Sequence, residues 1–219
     1  MSGRPLNVLY LGLRCPENNE TYTYHHYPVI RTVVRDFNNP DIVRFLTSLK
    51  TSTHLIFTSP TAVEILFSLL PSIPQTTKIL AVGKKTAQML EKFEQKVTAI
   101  ASTETAEGLV DLLDQMIDKN STVFWPHASG ARTIITNYLI QREVQYCNCI
   151  LYDTLSYIVD PKPIPEDFDQ IFFTSPSTVD AYLEIFDQLP PIEQARVIGP
   201  ITESRLIQRQ KENTPSSSI

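Results

Sequence analysis

The chain lacks the signatures by which most catalytic classes are recognised. Its six glycines form no phosphate-cradling loop, it has no His-Glu-x-x-His or Gly-x-Ser-x-Gly segment, and its four histidines are not spaced as metal ligands. Phosphate-loop nucleotide hydrolases, zinc peptidases of the helical type and elbow-serine hydrolases are thereby excluded. The cysteines, Cys15, Cys147 and Cys149, are odd in number and have no Cys-x-x-Cys spacing, so no disulfide framework is expected and the thiols read as reduced and buried. No apolar run approaches the ~20 residues of a membrane span, and Asn7 to Leu13 is too short for a signal peptide. The expected compartment is the cytoplasm. A net charge of −5 and no Lys/Arg cluster longer than Lys84-Lys85 exclude a general nucleic-acid binder. With 42% hydrophobic residues in 219, the chain can fill one large or two small cores.

What the chain does have is an internal repeat. Ile56-Phe57-Thr58-Ser59-Pro60-Thr61-Ala62-Val63 returns as Phe172-Phe173-Thr174-Ser175-Pro176-Ser177-Thr178-Val179, an offset of 175 − 59 = 116 residues. The same offset carries Val82-Gly83 onto Ile198-Gly199, Thr86 onto Thr202 and Leu90 onto Leu206. So constant a spacing implies one structural unit used twice, and makes the space between the copies the natural place for a ligand.

Each copy opens on an apolar run, Leu55 to Thr58 or Ile171 to Thr174, of the kind a doubly buried parallel strand requires. Ser59 and Ser175 are N-cap residues, and Pro60 and Pro176 occupy the first helical position, where a missing N–H costs nothing. Val63, Leu66, Phe67 and Leu70 then form a helical stripe, repeated by Val179, Tyr182, Leu183 and Phe186. Second strands, Ile79 to Val82 and Arg196 to Ile198, lead through Gly83 and Gly199 into further helices. The middle of the chain adds strands Val97 to Ile100 and Val123 to Trp125, with helices from Thr105 to Ile117 and from Ala131 to Gln141. This is the grammar of a parallel α/β sheet. The second copy is short of strands and is expected to borrow Val8 to Leu13. Two α/β domains follow: residues 1–26 with 160–219, and residues 38–147. The linker segments are 27–37 and 148–159, whose β-branched and aromatic stretches Tyr27 to Arg35 and Cys149 to Val159 could pair as a ribbon closed by Pro161, Pro163 and Pro165.

Ligands of open parallel sheets bind beyond the carboxyl ends of the strands, where Ser59, Gly83, Ala128 to Gly130, Ser175 and Gly199 are expected. Helix N-termini there favour carboxylates or phosphates, and Lys84, Lys85, Arg132 and Arg14 lie at or after strand ends. An acidic protein can therefore bind an acidic ligand. Among the histidines, His25 and His26 read as exposed and His54 as surface, leaving His127 as the one nearest a ligand.

The paired Phe-Thr-Ser-Pro segments, Val82-Gly83-x-x-Thr86 and Ile198-Gly199-x-x-Thr202, the Gly130-x-Arg132 helix start and Leu151-Tyr152-Asp153-Thr154 together resemble the uroporphyrinogen-III synthase family. The resemblance implies two flavodoxin-like α/β domains joined by a two-stranded β-ladder, a substrate cleft between them and no cofactor. It implies that hydroxymethylbilane, a linear tetrapyrrole with eight carboxylates, loses its hydroxyl as water and closes with inversion of its last ring, a step of haem biosynthesis. Carried over by position, Ser59, Gly83, Lys84, Thr86, Arg132, Ser175, Gly199, Thr202 and Arg14 would bind substrate, and Tyr152 would be the acid that assists loss of the hydroxyl. The implied partner is the tetrapyrrole, without nucleic acid or membrane, on a monomer; transient contact with the upstream bilane-forming enzyme stays open. So do a non-catalytic sensor of a small anion and, more remotely, a nucleotide-binding flavodoxin-like protein. Two departures from the family stand out: Glu17 to Tyr24 is too short and polar for the usual first helix, and the chain stops at Ser216 to Ile219, where the other copy begins another helix.

Overall fold

The structure is a computed structural model that describes residues 4–70 and 72–213, so the expectation about Ser216 to Ile219 lies outside the described residues. The chain runs β1 (Leu6–Tyr10), β2 (Tyr22–His26), β3 (Ile30–Val34), α1 (Pro40–Ser48), β4 (His54–Phe57), α2 (Pro60–Leu69), β5 (Lys78–Ala81), α3 (Lys84–Lys92) and β6 (Ala99–Ile100). It continues with α4 (Ala106–Met116), β7 (Thr122–Ala128), α5 (Ile134–Gln141), β8 (Gln145–Ser156), β9 (Gln170–Phe173), α6 (Pro176–Phe186), β10 (Ala195–Val197) and α7 (Pro200–Asn213). Two compact units result, a discontinuous one of Met1–Thr32 with Thr154–Ile219 and a continuous one of Val33–Asp153. Both boundaries fall inside the strand pair β3/β8, which is antiparallel: Arg35 N donates to Leu151 O, and Tyr157 N to Val29 O.

In the continuous unit the sheet order is β3-β8-β7-β4-β5-β6, with β8 through β6 parallel. All four residues of β4 are buried because it lies between β5 and β7 and is covered on both faces. Leu55 and Phe57 pack under Val63, Leu66, Ala87 and Leu90 of α2 and α3. Ile56 faces the other way, into a layer with Leu80, Trp125, Leu109, Leu113, Ile135 and Leu139 of α4 and α5. Period-two alternation thus splits one apolar run between two cores.

Several boundaries differ from the sequence reading. β4 and β9 stop before Thr58 and Thr174, since the chain must already turn to set Ser59 and Ser175 extended as caps. His54 is not a surface residue: it is the first residue of β4, 4% exposed, with Nδ1 2.8 Å from Thr53 Oγ1. β6 is only Ala99–Ile100, whereas β7 extends to Ala128. α5 starts at Ile134 rather than Ala131, because a turn from Ala128 O to Ala131 N precedes it and Arg132 is drawn to Glu107. Of the thiols only Cys149 is buried; Cys15 and Cys147 are half-buried, and all three are free. Burial, with Cys147 nearby, pushes the Cys149 thiol up to about 11, which keeps it protonated and inert at neutral pH.

In the discontinuous unit β10-β9-β1-β2 are all parallel. One face, with Leu9, Ile171 and Phe173, lies under Val179, Tyr182 and Ile185 of α6 and Leu206 of α7. The connection from β1 to β2, residues 11–21, contains no helix, and it is ordered instead by Asn19 Oδ1 accepting from Thr21 N and Tyr22 N and by Asn18 Oδ1 accepting from Tyr24 N. The second face is covered by long side chains. Arg196 lies 4.4 Å over the Tyr22 ring and 5.0 Å over Phe172, and Tyr10 meets Tyr24 and Phe172 edge-on. At the offset of the repeat, Phe172 and Arg196 stand where Ile56 and Leu80 lie under helices in the other copy. Rings and a guanidinium with an aliphatic stem seal Val8 to 0% exposure without that layer.

Candidate functional site

The carboxyl ends of the continuous unit's strands deliver Ser59, Gly83, His127 and Tyr152. Ser59 caps α2: it is extended (φ −152°) and its Oγ accepts from Ala62 N at 3.1 Å. A bulge between His127 and Ala128 pairs Ala128 with Tyr152 rather than with the next residue in register. Tyr152, 6% exposed, places its hydroxyl 2.7 Å from Ser59 Oγ. Burial pushes the Tyr152 phenol up from its ordinary value, opposed by the hydroxyls of Ser59 and Thr61. It is therefore fully protonated at neutral pH.

The second helix end of this unit is already occupied. Gly83 is the N-cap of α3 and offers no side chain, and Lys84 N instead donates to Glu104 Oε1 at 2.9 Å. A Cβ at Gly83 would lie 2.6 Å from the Glu104 carboxyl carbon, so the glycine makes the room that this carboxylate fills. Thr86, one turn further in, is 2% exposed. Arg132 is likewise engaged, its two terminal nitrogens donating to Glu107 at 2.7 and 2.9 Å. That ion pair holds the Glu107 carboxyl down to about 2.

Because the folded value lies below the ordinary 4.5, the pair supports the fold above about pH 4.5 and its support is lost as pH falls towards 2. With side chains 39% and 52% exposed, the contribution is about 1 kcal/mol or less. Arg132→Gln should accordingly lower the urea midpoint slightly at pH 6 and by clearly less at pH 2.5, where much of the pair's support has gone. An equal loss at both values would show that packing, not charge, is responsible.

His127 is 8% exposed, 4.2 Å from the Trp125 ring, and its Nδ1 donates to Ala128 O at 2.7 Å. That fixes the tautomer and leaves Nε2 as an acceptor with no partner among the described residues. Burial and the Arg35 charge depress its pKa, so the ring is neutral. Arg35 itself forks onto Asp153 with two 3.0 Å bonds, which holds the carboxylate next to Tyr152 ionised.

In the discontinuous unit Ser175 caps α6 through a reciprocal box: Ser175 Oγ accepts from Thr178 N, and Thr178 Oγ1 accepts from Ser175 N. Among the described residues no tyrosine stands behind this serine; its Oγ is 2.8 Å from Ser177 Oγ. Among the described residues nothing lies within 4 Å of where a Gly199 Cβ would go, and Thr202 is 2% exposed. Arg14 is exposed in the helix-free connection after β1. The sequence points to the two caps and the two glycines but not to Glu104. The signal it holds is Thr103-Glu104-Thr105 just before a helix, which alone marks a cap and not the helix end that the glutamate reaches.

Among the described residues, no group of three or more His, Cys, Asp or Glu is placed to hold a metal ion, and no helix is long and apolar enough to cross a membrane. A profile of the HEM4 family, described as uroporphyrinogen-III synthase HemD, matches residues 18–214. The fold is similar to that of a mutant uroporphyrinogen III synthase from the extremely thermophilic bacterium Thermus thermophilus, with a TM-score of 0.61 and 18% identity over 93% of this chain and 88% of that one. It is also similar to uroporphyrinogen-III synthetase from Helicobacter pylori, with a TM-score of 0.63 and 16% identity over 96% and 91%. At such identities the structures speak for the fold, and it is the profile, spanning nearly the whole sequence, that assigns the lineage. With two parallel α/β sheets, duplicated Ser-Pro helix starts and this match, the chain belongs to the uroporphyrinogen-III synthase family of cyclising hydro-lyases.

Proposed function

We propose that this chain converts hydroxymethylbilane to uroporphyrinogen III and that its two repeat copies have divided the work. The observation that carries this reading is the asymmetry of the equivalent serines, since among the described residues Ser59 has a phenol, that of Tyr152, within hydrogen-bond reach and Ser175 has none. In the copy with Ser175 and Gly199 the α6 start is closed by its own capping box, while the α7 start after Gly199 has open space that suits a carboxylate, with the exposed Arg14 in the same unit. The copy with Ser59 and Tyr152 supplies hydroxyl chemistry, while Gly83 and Lys84 already hold Glu104 and Arg132 already holds Glu107. A carboxylate of the substrate would have to exchange with those internal ones. Thr86 and Thr202 are nearly sealed, so a substrate carboxylate would reach their hydroxyls only if the helix starts moved.

Loss of the hydroxyl needs a proton donor, and a phenol that is protonated at neutral pH supplies one. Closure with inversion needs the terminal ring held so that its substituted position attacks first, which is a matter of orientation rather than of acid strength. The reading includes a monomer in the cytoplasm, in keeping with three unpaired thiols, and transient hand-over from the bilane-forming enzyme.

The test is the product isomer. Given freshly made hydroxymethylbilane, the purified protein should yield uroporphyrinogen III, whereas buffer alone yields the symmetric isomer I, and chromatography of the oxidised products separates them. Isomer I at the spontaneous rate would overturn the proposal, and binding without conversion would favour a sensor. Turnover should also survive a chelator; loss that zinc restores would overturn the assignment of the site to hydroxyls and helix ends.

A further inference from the structure

We propose that the group which meets the leaving hydroxyl is Ser59, with Tyr152 acting through it. This rests on the reading above and changes which atom does the chemistry. Tyr152 is buried whereas Ser59, beyond the carboxyl end of the central strand β4, is only half-buried, so the serine stands on the outer side of the pair. The Ser59 oxygen is offered two donors, Ala62 N–H at 3.1 Å and the phenol at 2.7 Å. The phenol has the Thr61 hydroxyl beside it as well as Ser59; with Thr61 donating to the phenol oxygen and the phenol the stronger acid of the Ser59–Tyr152 pair, Tyr152 takes the donor role towards Ser59. With both acceptor positions of Ser59 filled, its own O–H has no partner among the described residues and is free to point outward. The helix cap contributes as well: an N–H at the positive end of α2 draws charge from the same oxygen and makes its proton more acidic.

The step balances within the chain. Ser59 gives its proton to the hydroxymethyl oxygen, the C–O bond breaks with its electron pair on oxygen, and water leaves. Ser59 takes the phenolic proton in the same movement. The electron-poor methylene is attacked by the terminal ring, which later releases one proton, and that proton restores Tyr152. Ser175 serves as an internal comparison, because its Oγ also accepts from the third helical N–H but, among the described residues, has Ser177 rather than a phenol beside it.

The experiment is a double-mutant comparison of kcat and KM with hydroxymethylbilane. Ser59→Ala and Tyr152→Phe are each expected to lower kcat by about 10²-fold with little change in KM, which is the scale of losing a proton donor. The double variant should fall no lower than the worse single, because the two residues act as one device. Ser59→Thr, which keeps a hydroxyl, should recover most of kcat. Ser59→Asn, which can cap α2 but cannot pass a proton, should not; it also separates loss of chemistry from loss of the helix cap. Ser175→Ala should raise KM instead. Multiplying losses in the double variant, or a Ser59→Asn enzyme with normal kcat, would overturn the relay while leaving the synthase reading intact. A wild-type protein that makes no isomer III would overturn both.

Discussion

Phe124→Ala is expected to cost about 3–5 kcal/mol, the usual result of emptying a sealed aromatic site. Phe124 is 1% exposed on β7, pairs in register with Leu55 and Cys147, and meets the Phe45 ring edge-on at 5.2 Å. It therefore ties α1 to the middle of the sheet. Neighbours on a central strand cannot collapse into the gap without breaking a ladder on either side, which is why the upper part of that range applies. For a chain of this size the thermal midpoint should fall by roughly 10 °C. Ile140→Ala, at a position 58% exposed, should stay within about 0.5 kcal/mol. Urea unfolding of both variants checks this. A loss below about 1 kcal/mol for Phe124→Ala would mean that the α1 layer repacks freely.

The same measurement separates the two copies of the repeat. Ile56, sealed under α4 and α5, should lose more on truncation than Phe172, which is half-buried and covered by Arg196. Equivalent positions in a duplicated sheet have diverged because their surroundings have. One copy kept a helix layer and therefore an aliphatic surface. The other has a sheet face sealed by rings and by the Arg196 guanidinium, whose Nη1 is buried with no hydrogen-bond partner among the described residues, where the first copy has Leu80.

What was legible in the sequence follows from range. Ser59, Pro60 and the stripe Val63, Leu66, Phe67 specify a helix start within one turn of each other, and a local rule reads them correctly. The crossed pairings are beyond any local rule. Ser59 finds Tyr152 across 93 residues, Lys84 finds Glu104 across 20 and Arg132 finds Glu107 across 25. Helix ends that look free for a ligand are partly taken by the chain's own carboxylates, a fact that only the folded loop geometry reveals. His54 reads wrongly as surface because a histidine before an apolar run looks like a strand entry, whereas β5 and β7 flank it as they flank Leu55. The missing first helix is readable from Glu17 to Tyr24; the aromatic sheath on the second sheet face is not, since Tyr10, Tyr22, Phe172 and Arg196 come from four different strands.

Gly108→Ala should destabilise the protein by about 1–3 kcal/mol, even though alanine is the better helix former by up to about 1 kcal/mol. Gly108 lies in the first turn of α4, with its N–H on Thr105 Oγ1 at 3.1 Å, and a Cβ there would collide with the backbone oxygen of Thr103. A backbone carbonyl cannot swing aside as a side chain can, and this one also accepts from Thr105 N at 2.8 Å. The 103–105 turn must move, and Glu104 moves with it, so that Lys84 N loses its carboxylate. Gly83→Ala makes the opposite case: the added methyl meets only the end of the Glu104 side chain, which can rotate away, and the cost should stay near that of one exposed cap. Both variants should shift the Lys84 amide resonance, because both remove the same acceptor, while only Gly108→Ala should lower the urea midpoint substantially. If Gly108→Ala proves as stable as the parent, the turn is looser than its packing implies, and Glu104 is not held on α3 by the backbone around it.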